Sequence, residues 1–388
     1  MNIFRQIGIV TLLGLRSLPD RLGSSLVIVI GMTCAVGALV SILSMSTGLL
    51  RTVEGAGRDD RVVVLSKNAN EVSGNLSREN ALLVGDAPGV RKTADGKAIV
   101  SAEILAFAPI NKKDDGLNAF MTVRGVGPQG TSLRPEIKLI SGRMFTPGKY
   151  EVIVGKSAQA QFEGLDVGKQ VTLPEGDWTV TGVFESNGDA HQSEVFADAP
   201  TLLSALRKNN FSVVAAMLDS PASFDTFKKS LTTNPRLSVD VQPEKEYLRK
   251  QWADLNGLLT TVAYVVGGIM GLGAMFGALN TMYSAVSTRT VEIATLRALG
   301  FGGTAVVISV LVESLFLAMV GALAGAGIAW LLFSGNAHGF DGLVVTLAVT
   351  PALVLLGVAF ACGLGFIGAL FPSIRAARLP IATALRAV

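Results

Sequence analysis

Four long apolar runs, 23–50, 255–283, 304–333 and 343–371, alternate with polar stretches along this chain. Each exceeds the roughly 20 residues that a helix needs to cross about 30 Å of hydrocarbon. The first two are separated by residues 51–242, the others by the short segments 284–303 and 334–342. The expected class is therefore a membrane α-helical protein: four transmembrane helices, with an α+β extracytoplasmic domain inserted between helices 1 and 2. Residues 1–22 place Ile3, Ile7, Val10 and Gly14 at helical spacing with Arg5 and Arg16 beside them, which predicts an amphipathic segment along the membrane surface. The positive stretch before the first run is too long, and the run itself exceeds the 7–15 residues of a secretory signal, so an uncleaved anchor is expected.

Within 51–242, VVVLS (62–66), EVIVG (151–155), FSVVAAMLD (211–219) and LSVDV (237–241) read as strands. QVTLPEGDWTVTGVFE (170–185) reads as a hairpin turning near Glu175-Gly176-Asp177, and SPASFDTFKKSL (220–231) as a capped helix. Strand, helix, strand in this order suggests a split βαβ layer. Residues 243–283 read as a stalk plus helix 2, with Pro243 suited to a first helical turn and Glu244 and Glu246 to the positive end of the dipole. One helix of that length is roughly 60 Å long at 1.5 Å per residue, against ~45 Å for a bilayer with its headgroups. Helix 1, continued towards Glu54, is similarly overlong, so two protruding helices are expected to link membrane and domain mechanically.

Composition supports the membrane reading: 49% of residues are hydrophobic, 16% are charged, and the mean hydropathy is +0.49. Cys34 and Cys362 lie in apolar runs, and His191 and His338 are far apart. No disulfide framework, metal site or cofactor of its own is expected. The net charge of +3 is small and dispersed, so no nucleic-acid partner is expected. Arg5, Arg16 and Arg21 precede helix 1, Arg289 and Arg297 lie in 284–303, and Arg375, Arg378 and Arg386 lie in 372–388; 334–342 has no Lys or Arg. By the positive-inside rule both termini and 284–303 are cytoplasmic, and the large domain is periplasmic.

Gly155-Lys156-Ser157 ends like a phosphate-binding loop, but the leading glycine of that loop is replaced by Tyr150. On this topology it also lies across the membrane from cytoplasmic ATP. It is read as a strand-to-helix turn. No Ser, His and Asp grouping or carboxylate pairing in the domain has a catalytic spacing, so no catalytic residues are expected.

The segment SAVSTRTVEIATLRALGFGG (284–303) reads as a short helix with Val286, Ile293, Leu296 and Leu299 on one side, an Arg289–Glu292 pair, and a stop at Gly300. Periodicity alone leaves open whether that side docks on a partner or lies on lipid headgroups. The segment resembles the cytoplasmic loop of FtsX/MacB-type ABC transporter permeases, R-x-x-E-I-x-x-L-R-A-L-G, at Arg289, Glu292, Ile293, Leu296, Arg297, Ala298, Leu299 and Gly300. The tail FPSIRAARLPIATALRAV is similar to that family's ending at Pro372, Pro380, Leu385 and Arg386, with Ala376, Ala377 and Ala384 matching as well. ISGRMFTPGKYEVIVGKSAQAQFEGLDVGKQVTLPEGDWTVTGVFE resembles the family's G-R-x-F … V-x-V-G … G-x-x-V … V-x-G-V pattern.

The resemblance implies a permease subunit of the mechanotransmission type in the bacterial inner membrane, with 284–303 as the coupling helix. It implies partners: a cytoplasmic ABC ATPase dimer that binds ATP and Mg, a second permease copy or paralogue, membrane lipid, and in some assemblies a periplasmic adaptor and outer-membrane channel. Walker and signature motifs are absent, so the ATPase is expected on another chain. The implied activity is export or extraction of a substrate; the alternative is an FtsX-like regulator of an extracytoplasmic cell-wall hydrolase. Gly267/Gly271, Gly273/Gly277 and Gly321/Gly325 are small-xxx-small pairs suited to close helix contact, within one subunit or across a dimer. Glu313, within helix 3, is an intramembrane carboxylate, open to a structural or a substrate- or proton-handling role.

Overall fold

The computed structural model describes residues 3–173, 176–333, 337–340 and 343–378. In chain order the elements are α1 (Ile3–Arg16), α2 (Leu22–Ala56), β1 (Arg61–Ser66), α3 (Arg78–Gly85), β2 (Val100–Asn111), β3 (Asn118–Val126), α4 (Gly130–Leu133), β4 (Lys138–Gly142), β5 (Glu151–Gly155), α5 (Lys156–Gln161), β6 (Gln170–Leu173) and β7 (Gly176–Glu185). Then come β8 (Val195–Asp198), α6 (Ala199–Ala205), β9 (Val213–Met217), α7 (Phe224–Thr232), β10 (Val239–Pro243), α8 (Glu244–Gln251), α9 (Ala253–Thr288), α10 (Thr290–Ala298), α11 (Gly303–Phe333), β11 (Ala337–Phe340), β12 (Leu343–Thr346) and α12 (Pro351–Ala377). They form two compact units: a helical unit of Met1–Thr47, Gly257–Asn336 and Leu347–Val388, and an inserted unit of Gly48–Asn256 with Ala337–Thr346.

In the helical unit α2, α9, α11 and α12 are each long and apolar enough to span a membrane. Their contacts depend on small residues. A Cβ on Gly321 would come within 2.7 Å of the Val29 carbonyl oxygen, and one on Gly325 within 2.5 Å of that of Thr33, so only glycine lets α11 lie this close to α2. Thr33 Oγ1 uses the proximity to donate to the Gly321 carbonyl at 3.1 Å. Gly267 faces Leu39, and Gly271 faces Phe360 and Leu364, again within the subunit, whereas Gly273 faces open space. The N-terminal segment is not merely a surface helix: Val10 is buried, and Gly14 sits against Glu313 and Ser309 of α11.

Two expected spans shift. Helix 4, expected over 343–371, begins at Pro351, because 343–346 pairs as β12 with β11 (Ala337↔Thr346) and Thr350 then caps the helix through its Oγ1. It runs on through Pro372 to Ala377. The single helix expected over 243–283 is two. Pro243 still pairs with Val62 as the end of β10, and Trp252, at φ −101° and ψ 2°, separates α8 from α9.

The inserted unit is built on one ten-stranded sheet, ordered β10-β1-β9-β2-β3-β8-β5-β7-β4, with β6 also on β7. β1 lies antiparallel between β9 and β10, which α7 connects, so the split βαβ layer is present. Its core joins Val62, Val64, Phe227, Leu231 and Val241; a second core under the rest of the sheet joins Ile104, Met121, Val154, Phe162, Trp178 and Leu202. Burial of each such side chain contributes about 1.5–3 kcal/mol. The hairpin of β6 and β7 forms as expected in register Leu173↔Gly176, with residues 174–175 of its turn outside the described residues.

Candidate functional site

The loop 284–303 folds as α10. Arg289 occupies its N-terminal cap position, and at its other end Gly300 takes φ +95°, a left-handed conformation that glycine adopts without strain. The Phe301 amide then donates to the Leu296 carbonyl at 3.1 Å and the Gly300 amide to that of Arg297 at 3.1 Å, a Schellman closure that fixes where the helix stops.

The apolar side expected for docking is divided. Val286 and Ile293 are buried in the bundle's own core with Val306 and Val310, while Leu296 is half-buried. An apolar stripe beside an apolar bundle is covered first by that bundle. Leu299 instead points outward, 73% exposed, in a stripe with Val291, Thr295 and Ala298. Arg297 is half-buried. Pro372 is buried in α12, and Pro380, Leu385 and Arg386 lie outside the described residues.

Arg289 ties α10 to α11. Its Nε donates to Glu292 Oε2 at 3.1 Å, the i,i+3 pair expected, and its Nη1 donates to Glu313 Oε2 at 3.2 Å. Glu313 is 5% exposed. Around this pair lies a cavity of about 580 Å³, walled by α1, α10, α11 and the end of α9.

In the inserted unit, side chains far apart in sequence converge on a buried ion cluster. Arg124 reaches Glu194 with two bonds, at 2.7 and 2.9 Å, Glu103 at 3.1 Å and Glu71 at 3.2 Å. Arg134 grips Glu103 at 2.6 and 3.0 Å and donates to His191 Nε2 at 3.3 Å, while His191 Nδ1 faces Glu194 at 3.1 Å. Arg61, with no exposed surface, bonds Glu244 at the start of α8, Glu136, and the Ala56 carbonyl at the end of α2. Burial pushes the Glu103 carboxyl up, and Arg134 and Arg124 more than reverse this, to about 2. Burial likewise raises Glu194, and Arg124 and His191 bring it well below the ordinary range. For Glu71 burial outweighs Arg124 and the carboxyl stays raised.

The sequence reading missed this cluster. Arg61 and Glu244 are 183 residues apart, and the one available signal was a charge inside an apolar strand, as with Glu103 in β2 and Arg124 in β3. The arrangement does not suit hydrolysis. Ser186 Oγ donates to Asp189 rather than to His191, whose Nε2 is taken by Arg134. Among the described residues no group of His, Cys, Asp and Glu could hold a metal. Gly155-Lys156-Ser157 is a strand-to-helix turn: a Cβ on Gly155 would clash with the Gln192 carbonyl, and Lys156 lies 3.7 Å from Glu185.

A four-helix membrane permease with an α+β domain between helices 1 and 2 is thus the class defined by fold and loop. Residues 25–234 match the family described as MacB-like periplasmic core domain, and 264–381 the FtsX-like permease C-terminal family. The chain belongs to the MacB-like permease family. It is 21% identical over 387 residues to the uncharacterized ABC transporter permease YknZ of Bacillus subtilis, covering 93% of this chain and 94% of that one. It is 22% identical to the macrolide export ATP-binding/permease protein MacB of Bdellovibrio bacteriovorus, covering 92% of this chain but 58% of that protein, so it spans little more than half of the latter's length. The periplasmic region of MacB from Actinobacillus actinomycetemcomitans aligns with 53% of this chain and 97% of its own, at 15% identity and a TM-score of 0.38.

Proposed function

We propose that this chain is the non-catalytic permease subunit of an ABC transporter of the mechanotransmission type, paired with a second permease and driven by a cytoplasmic ATPase dimer that binds ATP and Mg. The Lys and Arg distribution supports an inner-membrane protein with both termini and α10 in the cytoplasm and the inserted domain in the periplasm. ATP-driven movement of α10 passes along the membrane helices to that domain, for export or extraction of a substrate at the outer face.

One observation carries the reading. α10 is braced from behind by Ile293 and stopped by Gly300, and it leaves Val291, Thr295, Ala298 and Leu299 exposed, the first two also lining the cavity. Burying Leu299 in a groove on the ATPase contributes about 1.5–3 kcal/mol, and a carboxylate there costs more than that. Leu299→Asp is therefore expected to abolish co-purification of the cognate ATPase while the chain still inserts and its circular dichroism is unchanged. Undiminished co-purification and ATPase stimulation by this variant sink the coupling role.

A further inference from the structure

We propose that the cavity between α1, α9, α10 and α11 is a binding site for an acidic phospholipid, with an acyl chain in its apolar interior and the phosphate on Arg16. This goes beyond the permease reading and does not depend on ATPase coupling. Its volume of about 580 Å³ lies within the ~300–1,000 Å³ of small-ligand sites. Each helix contributes apolar wall: Val10 and Leu13 from α1, Val286 from α9, Ile293 and Leu296 from α10, and Val310 from α11, beside polar groups that include Ser309 and Glu313. An alkyl chain is matched to these apolar faces.

Four charged residues line the cavity, and three are mutually engaged: Arg289 holds Glu292 and Glu313 at 3.1 and 3.2 Å. The fourth, Arg16, is exposed and has no carboxylate within salt-bridge distance among the described residues. It follows Leu13, 47% exposed, by one helical turn. An apolar side chain with a free guanidinium one turn on is the order in which a lipid presents its tail and its phosphate, and a basic pocket among membrane helices favours an anionic headgroup. Arg offers the phosphate a forked, charge-assisted pair of bonds, and in a zwitterionic headgroup the choline cation offsets that attraction.

The test is native mass spectrometry of the purified full chain in non-ionic detergent, with added phosphatidylglycerol or phosphatidylcholine. One phosphatidylglycerol per chain is expected to be retained, with phosphatidylcholine about tenfold weaker, the ratio that one charge-assisted contact supports. Arg16→Gln, on an exposed position, is expected to remove that preference with no change in thermal melting. Val310→Phe, which fills the interior, is expected to reduce retention of both lipids. A phosphatidylglycerol with a photoactivatable acyl chain is expected to crosslink to peptides bearing Val286, Leu296 or Val310. Equal retention of the two lipids by the unaltered chain, an unchanged preference in Arg16→Gln, or crosslinks confined to other helices overturns the proposal.

Discussion

In the inserted unit three arginines, Arg61, Arg124 and Arg134, share one buried cluster with five carboxylates, whereas in the helical unit the single Arg289 divides itself between Glu292 and Glu313. The difference is one of redundancy. Each guanidinium of the cluster meets at least two acceptors, and Glu103 is shared by two of them, so each arginine is desolvated together with several partners. Such networks add little net stability over an apolar core but penalise any arrangement that separates their members. The cluster therefore fixes one geometry, and through Arg61 it fixes the end of α2 and the start of α8 within it. Arg289 is a different device. Its Glu292 partner is 65% exposed, where an ion pair contributes about 0–1 kcal/mol, and only Glu313 is buried. Only the wet end of this contact, at Glu292, is cheap to release.

The largest expected effect tests the rigid side. Arg124→Met strands Glu71 and Glu194 without their main cation and leaves Glu103 to Arg134 alone, and breaking a buried ionic group in this way costs about 3–5 kcal/mol. Denaturant unfolding of the full chain, followed through the buried Trp178, measures it. Arg58→Met, which removes an exposed pair with Asp60, is the control and is expected to lose no more than about 1 kcal/mol. Equal losses for the two variants break the contrast between networked and surface charge.

The intermediate effect tests the movable side. Arg289, paired with Glu292 as the i,i+3 spacing predicts, gains Glu313 as a second partner in the structure. Arg289→Ala removes the counter-ion hydrogen-bonded to the buried Glu313, Glu313→Gln relieves the charge while keeping a donor and an acceptor, and Glu313→Leu removes both. A double-mutant cycle on thermal unfolding is expected to give a coupling of about 1–3 kcal/mol between Arg289→Ala and Glu313→Gln. Additive effects place the two side chains out of energetic contact.

What the sequence made legible follows the range of the interactions concerned. Membrane helices are written in runs of local hydrophobicity, and the split βαβ layer in β1, β9, α7 and β10, whose strands are the Val-containing runs RVVVLS, VVAAM and VDVQP. Where local pattern is ambiguous, tertiary pairing decided. LVVT at 343–346 suits a helix or a strand equally, and β11 makes it a strand. The apolar periodicity of 286–299 was legible, but not its partner, since a stripe does not say whether its cover lies in the same chain. The ion cluster joins elements of very different sequence position, so no spacing rule reaches it. Charges in strand interiors were its only local trace.

The smallest effect sharpens the comparison within the cluster itself. Glu103, held at about 2, contributes stability that is present above the ordinary carboxylate pKa and lost as pH falls towards 2. Glu71, raised by burial, has the opposite sign: its contribution is complete below the ordinary carboxylate pKa and is lost as pH rises through its higher folded value. Stability of the inserted domain is thus expected to fall on both sides of a mildly acidic optimum, with a limiting slope of about 1.4 kcal/mol per pH unit for one proton on the upper limb. Glu71→Gln, isosteric and uncharged, is expected to flatten that limb and leave the acid limb intact in chemical denaturation between pH 3 and 8. Asp189 is the competing source, since burial also raises its carboxyl despite His191 and Ser186. If the upper limb survives Glu71→Gln and disappears in Asp189→Asn, the excess negative charge is relieved at the Ser186–Asp189 turn. Arg124 then holds three ionised carboxylates at once, and the cluster is more strongly anionic than the burial of Glu71 implies.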